Sequence, residues 1–227
     1  MDRPDNTPED LNGALDDIRS VNRFLRGSKV LVDAVRPFLR APRDGEPLTV
    51  LDVGTGGADL PLALVREARR VGCRIRIVGV DRDPVTLAYA HRATANVPEI
   101  ALDRADAFAL PFGPASFDLV TASMFLHHFA HADAVRLLAE FRRIARVAVL
   151  INDLERHVVP WAFIGLAARV MRRHPMFVHD APLSVLRGFT AGELAAAAAE
   201  AGAEHATVVH RIPYRLLLTI PSARATP

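Results

Sequence analysis

Cysteine is almost missing: Cys73 is the only one among 227 residues. No intrachain disulfide can form, and a cysteine-rich zinc site is excluded. A reducing, cytoplasmic setting fits that count. Lysine is as scarce, with Lys29 alone, while arginine and alanine abound. That bias reads as the codon usage of a GC-rich genome rather than as a function. An excess of charge of either sign is lacking too. Lys and Arg total 28 against 26 Asp and Glu, a net charge of +2, so the pI of 9.2 reflects a narrow margin. Such a balance gives little support for nucleic-acid binding. No apolar run is long enough to span a bilayer, because the longest, Val158 to Met171, is interrupted by Pro160, Trp161 and Arg169. The polar residues Met1 to Asp10 hold no apolar export segment. The expectation is a soluble protein without stable membrane insertion.

What is present is an ordered, core-forming composition. Half the residues are hydrophobic, enough for one α/β domain with some decoration. The apolar run Leu48 to Val53 reads as a buried parallel strand. It breaks into Gly54-Thr55-Gly56-Gly57, and a helical pattern follows from Leu60 to Val71, with Asp59 as a candidate cap. Strand, glycine turn and helix lay out a nucleotide-binding crevice at the carboxyl edge of a sheet. The dinucleotide fingerprint G-x-G-x-x-G is not met, since Asp59 stands at its third glycine.

Along the chain, Thr7 to Val21 and Lys29 to Leu39 read as two helices. They are either a lid over a cofactor or a cover for one sheet face, and the apolar spacing favours the cover. Ala41 to Pro47 is a linker. Strands are expected over Arg74–Val80, Ile100–Ala105, Phe117–Ala122 and Arg146–Asn152, with helices between them, the first capped by Asp83-Pro84. This alternation predicts an open, mostly parallel sheet with helices on both faces. A capping box at Thr190-Ala191-Gly192-Glu193 starts a helix that Gly202 stops, and two final strands, Thr207–Ile212 and Arg215–Ile220, follow.

Asp52-x-Gly54-x-Gly56 resembles motif I of class I S-adenosylmethionine-dependent methyltransferases, with Ala58 in place of a third glycine. Asp106-Ala107, Leu110-Pro111-Phe112 and Ser116-Phe117-Asp118-Leu119-Val120 resemble further stations of that family, in order and spacing. The resemblance spans Pro47 to Ile220. It implies a Rossmann-like, doubly wound sheet of seven strands, mostly parallel with a reversed terminal strand, behind N-terminal cap helices over 1–46. The methyltransferase domain then occupies 47–227, with an acceptor-pocket insert at about 153–189. The implied cofactor is S-adenosyl-L-methionine, and S-adenosylhomocysteine is its product. Asp81 is implied to accept from the ribose hydroxyls, although an acid there also serves as an ordinary helix cap. Arg82 lies beside the adenine, and Asp106 and Ala107 meet its edge. Asp52 anchors the glycine loop, Thr55 and Gly57 offer backbone groups near the cofactor's amino-acid end, and Ser123 lines the same crevice.

The acceptor side is less determined. Ser123-Met124-Phe125-Leu126-His127-His128 follows the fourth strand, and Asn152-Asp153-Leu154-Glu155-Arg156-His157 follows the fifth. His128 and His157 are candidate general bases with pKa values near operating pH. The plainer reading of the paired histidines is loop structure or cofactor packing. A metal site of His127, His128 and His131 lacks a matched set of carboxylates. The insert's Trp161, Phe163, Met171, Met176 and Phe177 suit a hydrophobic or aromatic acceptor, or a helix buried on its own domain. The resemblance extends to a bacterial subgroup tied to polyketide pathways, so the expected reaction is O-methylation of an aromatic or polyketide-like hydroxyl. A cofactor-holding subunit without turnover is the alternative from another class. Nucleic-acid methylation is disfavoured, because Thr121-Ala122-Ser123-Met124 replaces the Asn/Asp-Pro-Pro-aromatic tetrad of adenine-amine enzymes. Oligomeric state is not readable.

Overall fold

The computed structural model describes residues 27–41, 45–157 and 186–222. The first predicted helix and most of the insert, Trp161 and Met176 included, lie outside the described residues. Helix α1 (Gly27–Arg40) precedes β1 (Leu48–Val53), α2 (Asp59–Val71), β2 (Ile75–Asp81), α3 (Pro84–Thr94) and β3 (Ile100–Arg104). Then come β4 (Phe117–Ser123), a 3-10 turn (Leu126–His128), α4 (His131–Ile144), β5 (Ala145–Leu154), α5 (Ala191–Glu200), β6 (Thr207–Arg211) and β7 (Arg215–Pro221).

The seven strands form one sheet in the order β3-β2-β1-β4-β5-β7-β6. The first five are parallel, whereas β7 runs antiparallel to both β5 and β6. The expected reversed terminal strand is therefore present. The chain works outward from β1 to β3 and then returns to β4 on the other flank. That reversal opens a crevice at the carboxyl ends of β1 and β4, where ligands of open α/β sheets bind.

Central strands are buried on both faces, and β1 and β4 are apolar apart from residues such as Asp52, Asp118 and Thr121, whose polar groups are hydrogen-bonded. Each helix presents one apolar stripe to the sheet. Leu60, Leu64, Val65 and Ala68 of α2 join Leu31, Val35 and Leu39 of α1 in a core over Leu48, Val50, Ile77 and Leu150. On the opposite face Leu137, Leu138, Phe141 and Ile144 of α4 meet Leu194, Ala197 and Ala198 of α5 over Leu51, Val120 and Val149. Helix α1 thus covers a sheet face, the second of its two readings. Local signals set several boundaries. Asp83 caps α3 by accepting from the Thr86 amide at 2.7 Å, and Thr190 and Glu193 complete the capping box of α5. Strand β5 runs two residues beyond the expected end, since Asp153 and Leu154 pair with Leu216 and Arg215 of β7. The insert therefore starts later, and the bridge between Glu155 and Phe189 closes its base. Among the described residues no helix is long and apolar enough to cross a membrane.

Asp118, in the Ser-Phe-Asp-Leu-Val run, ties three strands together. Its carboxylate accepts from the Thr49 amide at 2.9 Å, the Thr49 hydroxyl at 3.0 Å and Arg146 Nε at 3.0 Å. Buried carboxylate bonds of this kind contribute about 1.5–3 kcal/mol each. Asp118→Ala should lower stability by about 2 kcal/mol, several degrees in melting temperature. An unchanged thermal transition would show that the strands hold register without it.

Candidate active site at the carboxyl edge of the sheet

The crevice is built from strand ends. At the end of β1, Asp52 is only 2% exposed. Its carboxylate accepts from Thr55 Oγ1 at 2.9 Å and from Thr121 Oγ1 of β4 at 2.8 Å. One buried acid thereby holds the turn and the neighbouring strand at once. Burial pushes its pKa up to about 7, against the two hydroxyl bonds that favour the anion.

The turn itself is left-handed at every second residue: φ is 66° at Gly54, 54° at Gly56 and 61° at Ala58. The amides of this turn are spent within the fold: Thr55 donates to the Val80 carbonyl, Gly56 to Asp81 and Ala58 to the Thr55 carbonyl. Gly54 admits no side chain, because a Cβ there would lie 2.3 Å from Phe125 Cδ2. Ala58 adopts the left-handed conformation despite its methyl, which is fully buried. Ala58 is also the N-cap of α2 and makes no side-chain capping bond, so Asp59 is not the cap but sits in the first turn. There its charge complements the helix dipole. Thr55 departs from expectation as well. Its amide donates to the Val80 carbonyl at 3.0 Å and its carbonyl accepts from Ala58 at 2.9 Å. Its backbone therefore serves the turn rather than a ligand. Gly57 packs beneath Tyr89.

Asp81 closes β2. Its two oxygens accept from the Gly56 amide at 3.1 Å and the Asp83 amide at 3.1 Å. Partial burial raises its pKa, and the backbone amides oppose that shift. The glycine turn is thus fastened to the acid of the next strand. Arg82 is exposed, and its carbonyl accepts from Arg104 Nε at 3.0 Å. The Ala105 amide donates to the Asp81 carbonyl at 3.1 Å, which draws Asp106 and Ala107 to the same edge. Asp106 accepts from the Phe108 amide at 3.0 Å and leaves its carboxylate exposed.

Across the crevice, Ser123 ends β4, and its Oγ accepts from Asn152 Nδ2 at 3.2 Å. The backbone then turns through Met124, at φ 57°. His127 is buried, and both its amide and its Nδ1–H donate to Asp153, at 3.1 Å and 2.6 Å. Burial pushes the Asp153 carboxyl up, but attraction to His127 and these hydrogen bonds, with one from the Leu154 amide, hold it below its ordinary pKa. His128 is exposed, its ring 4.2 Å from that of His127. His157 stacks on Tyr214 at 4.9 Å, outside that group. His131 faces Glu200 at 3.1 Å. The histidines therefore do not converge, and among the described residues no group of three or more His, Cys, Asp or Glu can hold a metal. A surface depression lined by His91, Thr94 and Pro98 lies at the opposite, amino edge of the sheet. It has no part in this constellation.

A methyltransferase-domain family model matches residues 50–147, the stretch from β1 through α4 that carries these strand-end acids. Residues 50–147 are thus a methyltransferase domain, similar to that of class I S-adenosylmethionine-dependent methyltransferases. Demethylmenaquinone methyltransferase of Thermus thermophilus is 37% identical over 125 residues, 55% of this chain and 54% of that one. The chain spans about half the length of the curated relatives it matches. The fold is also that of the DszA carbon methyltransferase, at TM-score 0.65 and 16% identity, covering 86% of this chain and 53% of that one. Magnesium protoporphyrin IX methyltransferase of Synechocystis PCC 6803, solved with bound S-adenosylhomocysteine, superposes at TM-score 0.59 and 16% identity, over 89% and 87% of the two chains. The cofactor of the methyltransferase domain is S-adenosyl-L-methionine. The residues present fit it: a turn without Cβ atoms at Gly54 and Gly56, and carboxylates at adjacent strand ends suited to hydroxyl and amine donors.

Three participants escaped sequence reasoning: Thr121 as a second donor to Asp52, the pairing of His127 with Asp153, and Arg215. The signal for the pair is strand register, since Ser123 opposite Asn152 sets the residues after β4 beside those after β5.

Burial favours protonated Asp52, so the folded domain holds a proton that the unfolded chain releases near the ordinary value of 3.8. Stability from this group is full below that value and falls as pH rises toward about 7. Asp52→Asn removes the charge, so its melting temperature should exceed that of the parent by a few degrees at pH 8. That difference should shrink as pH falls toward 5. A constant difference would contradict the assignment.

Proposed function

We propose that the chain transfers the sulfonium methyl of S-adenosyl-L-methionine to a small-molecule acceptor bearing an acidic hydroxyl. The new bond forms at that oxygen or at the carbon conjugated with it. The observation that carries this reading is the row of acids Asp52, Asp81 and Asp106 at consecutive strand ends, two of them fastened to the left-handed turn. In this reading Asp81 accepts from the ribose hydroxyls, because a carboxylate offers two acceptor oxygens and no competing donor. Asp106 and the Ala107 amide meet the adenine edge, and Arg82 lays its aliphatic stem beside the ring. Gly56, with open space at its Cβ position, admits the amino-acid end, while Gly54 and Gly57 shape the turn under Phe125 and Tyr89, Asp52 and Thr55 hold it from behind and Ser123 lines the crevice.

When bound, the cofactor supplies an already activated methyl group. The protein's task is then mainly to orient the acceptor and exclude water. A base helps where the acceptor carries a proton at neutral pH. His128 at the rim and His157 beyond it are candidates, and the structure adds His127. Asp153 fixes the Nδ1–H tautomer of His127, which leaves Nε2 to take a proton, and the carboxylate then stabilises the imidazolium. Both oxygen and carbon acceptors suit this arrangement. The relatives named above act on quinone-type and porphyrin molecules by their names, and one solved neighbour is a carbon methyltransferase. We place residues 1–46 as a cap and 47–227 as the catalytic domain, its insert covering the acceptor, and the single cysteine suits action in the cytoplasm.

Two variants separate the roles. Asp81→Ala should weaken S-adenosylhomocysteine binding at least about tenfold by calorimetry, and unchanged affinity would remove the ribose assignment. His127→Ala should cut transfer of labelled methyl to naphthol or hydroquinone acceptors by about a hundredfold while leaving cofactor affinity intact. His128→Ala should cost less. Cofactor binding with no transfer to any acceptor would instead identify a binding subunit.

A further inference from the structure

Among the described residues Arg215 is the one buried arginine, and the proposed reaction has not used it. It opens β7 opposite Leu154, the last residue of β5, and is only 2% exposed. Its Nη1 lies 2.8 Å from Met124 Sδ. Met124 follows β4, and β5 stands between β4 and β7 in the sheet. The side chain must therefore lie across the carboxyl end of β5, on the floor of the acceptor crevice.

A guanidinium carries five donors in a planar fork that matches paired or anionic oxygens. Here its only hydrogen-bond acceptor among the described residues is a thioether, which accepts weakly. Asp153 attracts it electrostatically. That carboxylate, however, is engaged by the His127 amide, the His127 ring and the Leu154 amide. Burial pulls the Arg215 pKa down, the mark of a cation short of partners. Other charged groups nearby are already paired, Glu155 with His210 at 3.2 Å and Glu193 with Arg156. A cationic cofactor in the same crevice adds further positive charge, and one anionic oxygen on the acceptor balances it.

We propose that Arg215 forms an anion subsite that binds the acceptor as its oxyanion, a phenolate, naphtholate or enolate, beside the His127–Asp153 pair. This rests on the methyltransferase reading and narrows its acceptor class to acidic hydroxyl compounds. The acceptor O–H bond breaks, its proton passes to His127 Nε2, and the electron pair stays on oxygen facing the guanidinium. That pair, or its conjugate carbon, forms the bond to the methyl carbon as the carbon–sulfur bond breaks and its electrons remain on sulfur. In the carbon case the displaced ring proton leaves to solvent.

The test is to titrate the S-adenosylhomocysteine-loaded protein with 4-nitrophenol, whose ionised form is coloured. The bound probe should ionise about one pH unit below the free probe, and Arg215→Met should abolish the shift and weaken binding about tenfold. 4-Nitroanisole, which cannot ionise, should not distinguish the two proteins. Arg215→Met should keep cofactor affinity and hold or raise the melting temperature, whereas a purely structural arginine would lower both. A bound probe that ionises at its free pH, no binding, or equal affinity for both proteins overturns the proposal. The spectrum with the parent protein decides even if the variant does not fold. Failure to bind S-adenosylhomocysteine would sink the methyltransferase reading and this proposal together. Cofactor binding without phenolate preference would sink this proposal alone.

Discussion

The buried carboxylate of Asp52 is the constraint on which the crevice depends. It sits at the end of the central strand, where the chain order reverses, and two hydroxyls from different elements converge on it. Thr55 brings the turn and Thr121 brings β4. With those bonds in place the backbone passes through three left-handed residues at 54, 56 and 58, and the Gly56 amide lands on Asp81. The Asp81 carbonyl in turn receives the Ala105 amide. One chain of bonds thus runs from β1 through β2 to the residues after β3, and it sets the separations among the three acids. Placing an acid in so apolar a surrounding costs stability, seen in its raised pKa. Functional sites commonly hold such costs where geometry matters more than folding energy.

The acceptor side follows another logic. Cofactor-side acids are held mainly by backbone amides and hydroxyls, so they remain acceptors toward neutral donors. Beyond β4 and β5 the structure buries ionic groups instead: Asp153, bonded to His127, and Arg215 at the head of β7. The reversed strand is what makes this possible. Running antiparallel, β7 begins at the carboxyl edge rather than ending there, so its first residue reaches the floor of the crevice.

Much of this was legible in the chain. Alternating apolar runs and helical stripes are strong signals, and they led to a doubly wound sheet with a reversed last strand. The acids at 52, 81 and 106 were legible through the family resemblance, each standing at or just after the end of an expected strand. Other features were not. Thr55 looked like a ligand-facing residue, yet its backbone is consumed by the turn, since the short loop over 54–58 leaves few amides to spare. Asp59 looked like a cap because acids favour that position, whereas the left-handed backbone at Ala58 moved the helix start by one residue. The His127–Asp153 pair depends on the register between β4 and β5, and Arg215 on the direction of β7. No local pattern encodes such long-range contacts. Ala58 shows that the third glycine of the motif answers a backbone need, φ 61°, which alanine meets at a modest cost.

If the ends of β1, β2 and β3 form one cofactor site, a single ligand must protect all three. Hydrogen exchange with and without S-adenosylhomocysteine tests it most directly, read at amides 54–58, 82–83 and 105–108. All three segments should slow together at one saturating ligand concentration, with the amino-edge segment 94–100 unchanged. Protection confined to one segment, or none in any, would contradict it.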